Sequence, residues 1–229
     1  MKIFSGLLLL ACLFTSCKKE EGLSFPTTYF ETQYRSSTTV RMYTNQGEVK
    51  NEALIKTFIK TFDRYGQYQP KGVSENRSTG DEVVLEKEQE AHFVWGGSPS
   101  YYDLLISGNE LLFTAKEETT ATYGQNDEYA INMMEYISKH KPLIFDKQTL
   151  ASSSGFNYSY KTKDRLHAYL NGSLLEFPKL LYTIKSGDKR DFRVNSRLLN
   201  NEFDPTVLDK LKNEDTLVVQ EFVQVFQKK

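Results

Sequence analysis

The segment 216–227, near the C-terminus, constrains the fold more than any other part of the chain. Its apolar residues recur on both faces of an extended strand, with Leu217, Val219, Val223 and Val225 beside Glu221 on one face, and Phe222 and Phe226 beside Gln220 and Gln224 on the other. Because successive side chains of a strand point to opposite sides, both faces of this strand need cover. Such a long, two-faced strand is typical of a β-barrel or a β-sandwich.

Strand and turn patterns fill most of the remaining chain. Alternating or aromatic-rich segments predict strands at 27–35, 38–44, 83–87, 91–95, 101–106, 110–116, 119–123, 143–145, 156–160, 166–170, 174–185 and 191–199. The Ser-Gly-Asn sequence at 107–109 predicts a tight hairpin, and the Asn-Gly sequence at 171–172 predicts a type I′ turn. Pro178 indicates a sheet edge or a bulge, since proline lacks the N–H that a strand ladder uses. Loops are expected at 65–80 and 150–155.

Three segments follow a helical pattern instead. The segment 51–64 places Leu54, Ile55, Phe58, Ile59 and Phe62 on one helical face. Asn51 is the expected cap of this helix. The segment 127–140 suits a second helix with Asp127 as its cap. Asp204 and Pro205 predict a short third helix that ends near Leu211, since proline is favoured in the first helical position.

These elements predict a mainly β (α+β) fold, an antiparallel β-barrel or sandwich with two or three packed helices. Residues 27–229 are expected to form one globular domain, because barrels and sandwiches of roughly 200–250 residues commonly fold as single domains. Hairpin-linked strands with a helix packed outside resemble a lipocalin-type barrel. This resemblance concerns the fold alone.

The N-terminal segment 1–16 has the features of an export signal. Lys2 precedes an apolar run from Ile3 to Phe14, which is 12 residues long. A bilayer core of about 30 Å needs about 20 helical residues, so this run is too short for a stable membrane span. A cleaved signal peptide is therefore predicted for residues 1–16, followed by a tether at 17–26.

The sequence Phe-Thr-Ser-Cys at 14–17 resembles the lipobox of bacterial lipoproteins, with Phe14 in the place usual for leucine. The resemblance implies cleavage before Cys17 and attachment of lipid to its thiol. An ordinary secretory signal, with Cys17 unmodified, is the alternative. Lys18 and the charged residues after it are similar to sequences that send lipoproteins to the outer membrane. The expected location is the bacterial envelope, lipid-anchored in the outer membrane and either periplasmic or surface-exposed.

Charge and cysteine content exclude several classes of function. The chain has 29 Lys and Arg residues, 30 Asp and Glu residues and a formal net charge of −1. Such a balance gives no electrostatic basis for binding nucleic acid. Both cysteines, Cys12 and Cys17, lie in the anchor, so the domain has no thiol for a disulfide, a metal site or a nucleophile. No cofactor-binding motif is present, and no cofactor is expected to bind.

The three histidines, His92, His140 and His167, lack metal-ligand spacing. A structural or exposed role is favoured for each over a catalytic one. No Gly-x-Ser-x-Gly sequence marks a serine nucleophile. A pair of carboxylates for glycoside hydrolysis depends on a distance that the sequence does not give, and Glu86, Glu88, Glu90 and Glu110 are equally expected as solvated strand residues.

The aromatic cluster at 93–102 is the candidate ligand site. It surrounds a turn that contains Gly96, Gly97 and Pro99, and includes the only tryptophan. Since flat aromatic rings stack on sugars and line apolar pockets, the candidate ligand-binding residues are Trp95, Tyr101, Tyr102 and His92. The alternative is that these aromatics point into the core.

Three functions remain open. The first is a lipid-anchored binding module for a small apolar or glycan ligand. The second is a structural or assembly lipoprotein that binds another envelope protein through a sheet edge or a helix face. The third is an envelope hydrolase that uses carboxylates or His92, which predicts a cleft with at least one strongly shifted pKa.

Overall fold

The computed structural model describes residues 23–63, 66–77, 79–124, 128–141, 143–152, 155–187 and 192–229. The predicted signal peptide and Cys17 lie outside these residues. The strands are β1 (Thr27–Ser36), β2 (Arg41–Thr44), β3 (Gly47–Val49), β4 (Ser74–Asn76), β5 (Glu82–Lys87), β6 (Glu90–Trp95), β7 (Ser98–Ser107), β8 (Glu110–Ala115), β9 (Thr119–Gly124), β10 (Leu143–Ser152), β11 (Gly155–Lys163), β12 (Arg165–Asn171), β13 (Leu174–Gly187), β14 (Phe192–Leu199) and β15 (Thr216–Lys228). The helices are α1 (Glu52–Phe62), α2 (Glu128–Ile137) and a 3-10 helix (Pro205–Lys210).

Eight strands close into an antiparallel barrel. Around the ring, β1 pairs with β5, then follow β6, β7, β8, β12, β13 and β15, and β15 pairs with β1 again. The predicted mainly β fold with packed helices is confirmed, and of the two architectures left open it is the barrel that forms. Among the described residues, no helix has the length and apolar character needed to cross a bilayer.

Aromatic side chains form the centre of the core cluster inside the barrel. Phe93 is the centre of this cluster, with its ring centroid 5.1 Å from that of Phe113 and 5.5 Å from that of Phe177. The rings of Phe177 and Phe226 are 5.4 Å apart. All four phenylalanines are at most 3% exposed. Each such buried side chain contributes roughly 1.5–3 kcal/mol to folding, so this aromatic core is a major source of stability.

The long strands β13 and β15 extend beyond this aromatic core and carry a second layer. Their paired residues run from Leu174 opposite Gln227 to Lys185 opposite Thr216. A second core cluster joins them to α2 and the 3-10 helix through Met133, Ile137, Tyr182, Phe203, Val207 and Leu217. On the other face, α1 packs Phe58 against Met42 and Val218. The two-faced pattern of the last strand is explained by these layers.

Two predicted helix caps are in place. The side-chain oxygen of Asn51 accepts hydrogen bonds from the backbone N–H of Ala53 (3.0 Å) and Leu54 (3.2 Å) at the start of α1. Asp204 caps the 3-10 helix by accepting from the N–H of Thr206 at 2.9 Å. The predicted cap of α2, Asp127, lies outside the described residues.

The structure corrects several predicted boundaries. Residues 74–76, expected in a loop, form β4 and pair with β1. The predicted short strand at 143–145 continues to Ser152 as β10 and pairs with β11, so residues 150–152 are not loop. Together β10, β11 and β9 form a separate three-stranded sheet. Here the ladder supplies backbone partners that the local serine-rich sequence does not reveal.

The turn between β12 and β13 is not of type I′. Asn171 pairs with Leu174, so the turn is centred on Gly172 and Ser173, one residue later than predicted. Gly172 has a φ of 61°. Ser173 has a negative φ, because among the described residues only glycines have a positive φ. Type I′ needs positive φ at both central residues, and Ser173 does not supply it.

Pro178 lies where β13 changes its partner on one edge. Pairing with β12 ends at Tyr169 opposite Glu176, and pairing with β14 begins at Leu180 opposite Leu199. On the other edge β13 stays paired with β15 throughout. The proline therefore lies where the barrel wall divides, between the part of β13 that pairs with β12 and the part that pairs with β14.

Candidate functional site

The barrel wall separates the four predicted ligand-binding residues into two pairs. Trp95 and Tyr102 point inward, where Trp95 stacks on Phe93 at 5.4 Å and Tyr102 meets the same ring edge-on at 4.8 Å. Burial raises the pKa of Tyr102 to about 12, so its hydroxyl stays neutral. His92 and Tyr101 lie on the outer side, because alternate residues of a strand face opposite ways.

Tyr101 is the most exposed tyrosine among the side chains that the structure describes in the barrel wall, at 56%. It is directly opposite His92 on β6, and the two ring centroids are 5.8 Å apart. Nδ1 of His92 lies 3.0 Å from Oε1 of Glu86, so a carboxylate adjoins the imidazole next to the tyrosine ring. Tyr101 therefore presents an accessible aromatic surface on a strand that is paired on both edges.

Charged side chains surround this ring. The Nζ of Lys116 lies 3.1 Å from Oε1 of Glu90 and 3.8 Å from Oδ1 of Asp103. Hydrogen bonds from Lys87 and Lys116 lower the pKa of Glu90, which stays ionised. We call this surface the Tyr101 face; it consists of Glu86, Glu90, His92, Tyr101, Asp103 and Lys116. Leu105, 62% exposed, continues the same side of β7.

A second polar cluster lies further around the outer wall. The imidazole rings of His140 and His167 stack with centroids 3.5 Å apart. Oε2 of Glu202 accepts three hydrogen bonds, from the Tyr169 hydroxyl (2.6 Å), His140 Nε2 (2.8 Å) and Lys139 Nζ (2.9 Å). Local sequence patterns do not reveal this cluster, because its residues come from β12 and from two loops that are distant in the chain.

The cluster shifts the pKa of its members in physically consistent directions. Burial, and then the neighbouring His140 and Arg165, lower the pKa of His167 to about 4. Burial alone would raise the pKa of Glu202, but the hydrogen bonds donated by Tyr169, Lys139 and His140 outweigh it and lower the pKa to about 2. At neutral pH the cluster therefore contains a neutral His167 beside an ionised Glu202.

A buried carboxylate lies on the inner wall next to the aromatic core. Oε1 of Glu31 accepts from Gln224 Nε2 at 2.9 Å, and Oε2 accepts from Thr79 Oγ1 at 2.5 Å. On the same side of β13 as Phe177, Lys179 donates to Oδ1 of Asn200, and burial lowers its pKa to about 8. These polar groups have partners, as buried polar groups require. Among the described residues, no group of three His, Cys, Asp or Glu side chains is placed to hold a metal ion.

Comparison with known proteins does not place the chain in a family. It matches no protein-family model, no curated protein and no solved structure.

Proposed function

We propose that this protein is a lipid-anchored glycan-binding module of the bacterial envelope that holds its ligand on the Tyr101 face. The observation that carries the proposal is an exposed tyrosine ring on a barrel strand paired on both edges, with charged and hydrogen-bonding side chains around it. An aromatic face packs against the C–H face of a sugar ring. The surrounding Glu86, Asp103 and Lys116 then have hydroxyl groups within reach.

The packing of the barrel favours the outer wall over the interior as the place for a ligand. Phe93, Phe113, Phe177 and Phe226 are in mutual contact inside the described part of the barrel. A ligand bound there would have to displace fully buried rings, which costs their packing energy. Trp95 and Tyr102 are assigned to this core, and Tyr101 and His92 to the ligand.

The charges of the Tyr101 face favour a glycan over an apolar ligand. An apolar molecule on this face would remove water from Glu90, Asp103 and Lys116 without replacing its hydrogen bonds, and such desolvation is costly. A glycan offers both an apolar ring face and hydroxyl groups. A glycan is therefore a better match to this surface than an apolar ligand is.

Glu202 does not favour the hydrolase alternative. A general acid in glycoside hydrolysis needs a carboxyl that is protonated near neutral pH, which requires a raised pKa. The pKa of Glu202 is instead lowered to about 2 by the hydrogen bonds that it accepts. Glu202 is suited to fixing its neighbours in place.

The second candidate function is assembly with another envelope protein. β14 pairs with β13 on one side, and no strand in the described part of the chain pairs with its other edge. Leu198 on β14 is 53% exposed. An open edge with exposed apolar side chains can accept a strand from a partner.

A glycan array separates these two candidates. Full-length protein, purified in mild detergent, is expected to bind a subset of envelope and host glycans, and Tyr101→Ala is expected to weaken binding at least 10-fold. Tyr136→Ala, which changes an exposed tyrosine on α2, is the matched control and leaves binding unchanged. Equal binding by the wild-type and Tyr101→Ala proteins would contradict the proposal.

The anchor is tested separately. Cys17→Ser is expected to abolish incorporation of labelled palmitate and to move the protein from the membrane to the soluble fraction, because the variant lacks the thiol that accepts lipid. Cys12→Ser, which changes the other cysteine, is the control and keeps both properties. Unchanged labelling of Cys17→Ser would exclude Cys17 as the lipidation site.

A further inference from the structure

Two loop segments on the outside of the barrel are tied to each other. The N–H of Asp204 donates to the carbonyl of Ile137 at 2.8 Å, and the N–H of Lys139 donates to the carbonyl of Glu202 at 3.0 Å. Oδ1 of Asn201 accepts from the N–H of His140 at 3.0 Å. We call these segments, residues 137–141 and 200–204, the double loop.

The double loop is fastened to β12 by two side-chain contacts. One is the 2.6 Å hydrogen bond from Tyr169 to Glu202, and the other is the stack of His140 on His167 at 3.5 Å. Tyr169 and His167 point outward from the barrel, whereas Leu166 and Ala168 point into its core. The contact between the double loop and β12 is therefore made by polar rings and one carboxylate, whereas Ile137 and Phe203 of the double loop are buried in the second core cluster.

The double loop lies where the wall divides. β13 pairs with β12 up to Glu176 and with β14 from Leu180. Asn200 of the double loop accepts a hydrogen bond from Lys179, which lies between these two positions. The double loop thus spans the place at which β12 and β13 part, next to the inner-wall groups Lys179 and Glu31.

We propose that the contact of the double loop with β12 is an acid-released latch at the division between β12 and β13. Protonation of His167 releases the double loop from β12, while Ile137 and Phe203 keep it attached to the second core cluster.

The charged groups around His167 favour release. Arg165 flanks it on β12, and Lys139 and Lys141 lie on the double loop. A proton on His167 adds a cation beside these groups and beside the stacked His140 ring.

The acidic groups near His167 already have partners. Glu202 is bound to Tyr169, Lys139 and His140. Asp204 is paired with Lys141, and Glu110 on β8 faces Tyr169.

The pH range of release follows from the pKa of His167. In the latched state this pKa is lowered to about 4, and in water it returns to the ordinary value of 6.5. The released state therefore binds a proton more readily below pH 6.5. The population of released molecules is expected to rise about 40-fold between pH 6.5 and pH 4.5. Glu202 acts in the same direction only below about pH 4.5, because its pKa falls from the ordinary 4.5 to about 2 in the latched state.

Hydrogen exchange measured by mass spectrometry tests the latch in the full-length protein. After correction for the intrinsic pH dependence, exchange in peptides covering the double loop is expected to accelerate from pH 6.5 to pH 4.5. Peptides from β6 and β7, which β8 separates from β12 in the sheet, serve as the internal reference and stay constant. No acceleration relative to this reference in the wild-type protein would overturn the proposal.

His167→Phe tests the role assigned to the histidine, since phenylalanine keeps a ring against His140 but takes up no proton. The variant is expected to lose the acid acceleration, whereas His92→Phe, the matched control on β6, is expected to retain it. An acid step that persists in His167→Phe would overturn the proposal. A second variant, Tyr169→Phe, removes one fastening and is expected to raise exchange already at pH 6.5. Unchanged exchange in Tyr169→Phe would count equally against the latch.

Discussion

Glu202 shows how a single side chain joins parts of the molecule that the sequence keeps far apart. One of its oxygens binds a strand residue, Tyr169, and two loop residues, Lys139 and His140. Local spacing in the sequence gives no sign that two of the histidines are in contact, because it reveals only partners on the same strand or helix. His140 and His167 meet through the tertiary pairing of β12 with β8 and the return of the chain after β14. No local signal contains that information.

We expect Glu202→Gln to lower the free energy of unfolding at pH 7 by about 1–3 kcal/mol, because three donors lose a charged acceptor. Urea denaturation measures this change. Glu52→Gln, which changes an exposed carboxylate 3.6 Å from Lys56, is the control and should change stability by at most about 0.5 kcal/mol.

The same variant has an expected signature in pH. Since the folded-state pKa of Glu202 is lowered from 4.5 to about 2, its stabilising effect is complete above pH 4.5 and is lost as pH falls towards 2. Glu202→Gln should therefore flatten the loss of stability in that range. A variant as stable as the wild type at pH 7, with an unchanged acid profile, would show that the three hydrogen bonds contribute nothing.

At the scale of elements, the sequence predicted what local chemistry determines. The asparagine cap of α1 and the apolar face that buries Phe58 were recognised, and so was the hairpin between β7 and β8, where Ser107 pairs with Glu110. Leu54, predicted on the same apolar face, is instead 52% exposed. β4 and most of β10 were missed, because these strands owe their conformation to a neighbouring strand. The candidate site was predicted only in part. The alternation of β6 and β7 places Trp95 and Tyr102 inside the barrel and His92 and Tyr101 outside it.

The cap of α1 gives a prediction at this scale. Asn51→Ala should destabilise the protein by about 1 kcal/mol, because two backbone N–H groups at the start of the helix lose their acceptor. Thermal unfolding followed by circular dichroism is a suitable measurement. Gln46→Ala, an exposed change in the preceding turn, is the control, and equal unfolding temperatures for the two variants would contradict the assignment of the cap.

At the scale of the whole molecule, the sequence left barrel and sandwich open because both use strands that alternate with a period of two. The difference lies in whether the first and last strands of the sheet pair. Here β15 pairs with both β1 and β13, which closes the ring. β15 also carries the second layer. The two-faced segment 216–227 therefore lies at the centre of the fold.

The filled interior can be tested by truncating one of its rings. Phe177→Ala is expected to cost about 3–5 kcal/mol of unfolding free energy, because it leaves a cavity among rings that contact one another. Leu54→Ala, on an exposed face of α1, should cost little. A loss below about 1 kcal/mol for Phe177→Ala would show that the interior is loosely packed and has room for a ligand.

Hydroxyl-radical footprinting with a glycan identified on the array tests the central claim most directly. We predict that the bound glycan protects the Tyr101 and Leu105 side chains from oxidation, whereas Tyr136 on α2 and Leu54 on α1 react as in the free protein. Protection confined to Trp95 and Tyr102, or to no residue of the Tyr101 face, would contradict the claim that this protein holds its ligand on the outer wall of a filled barrel.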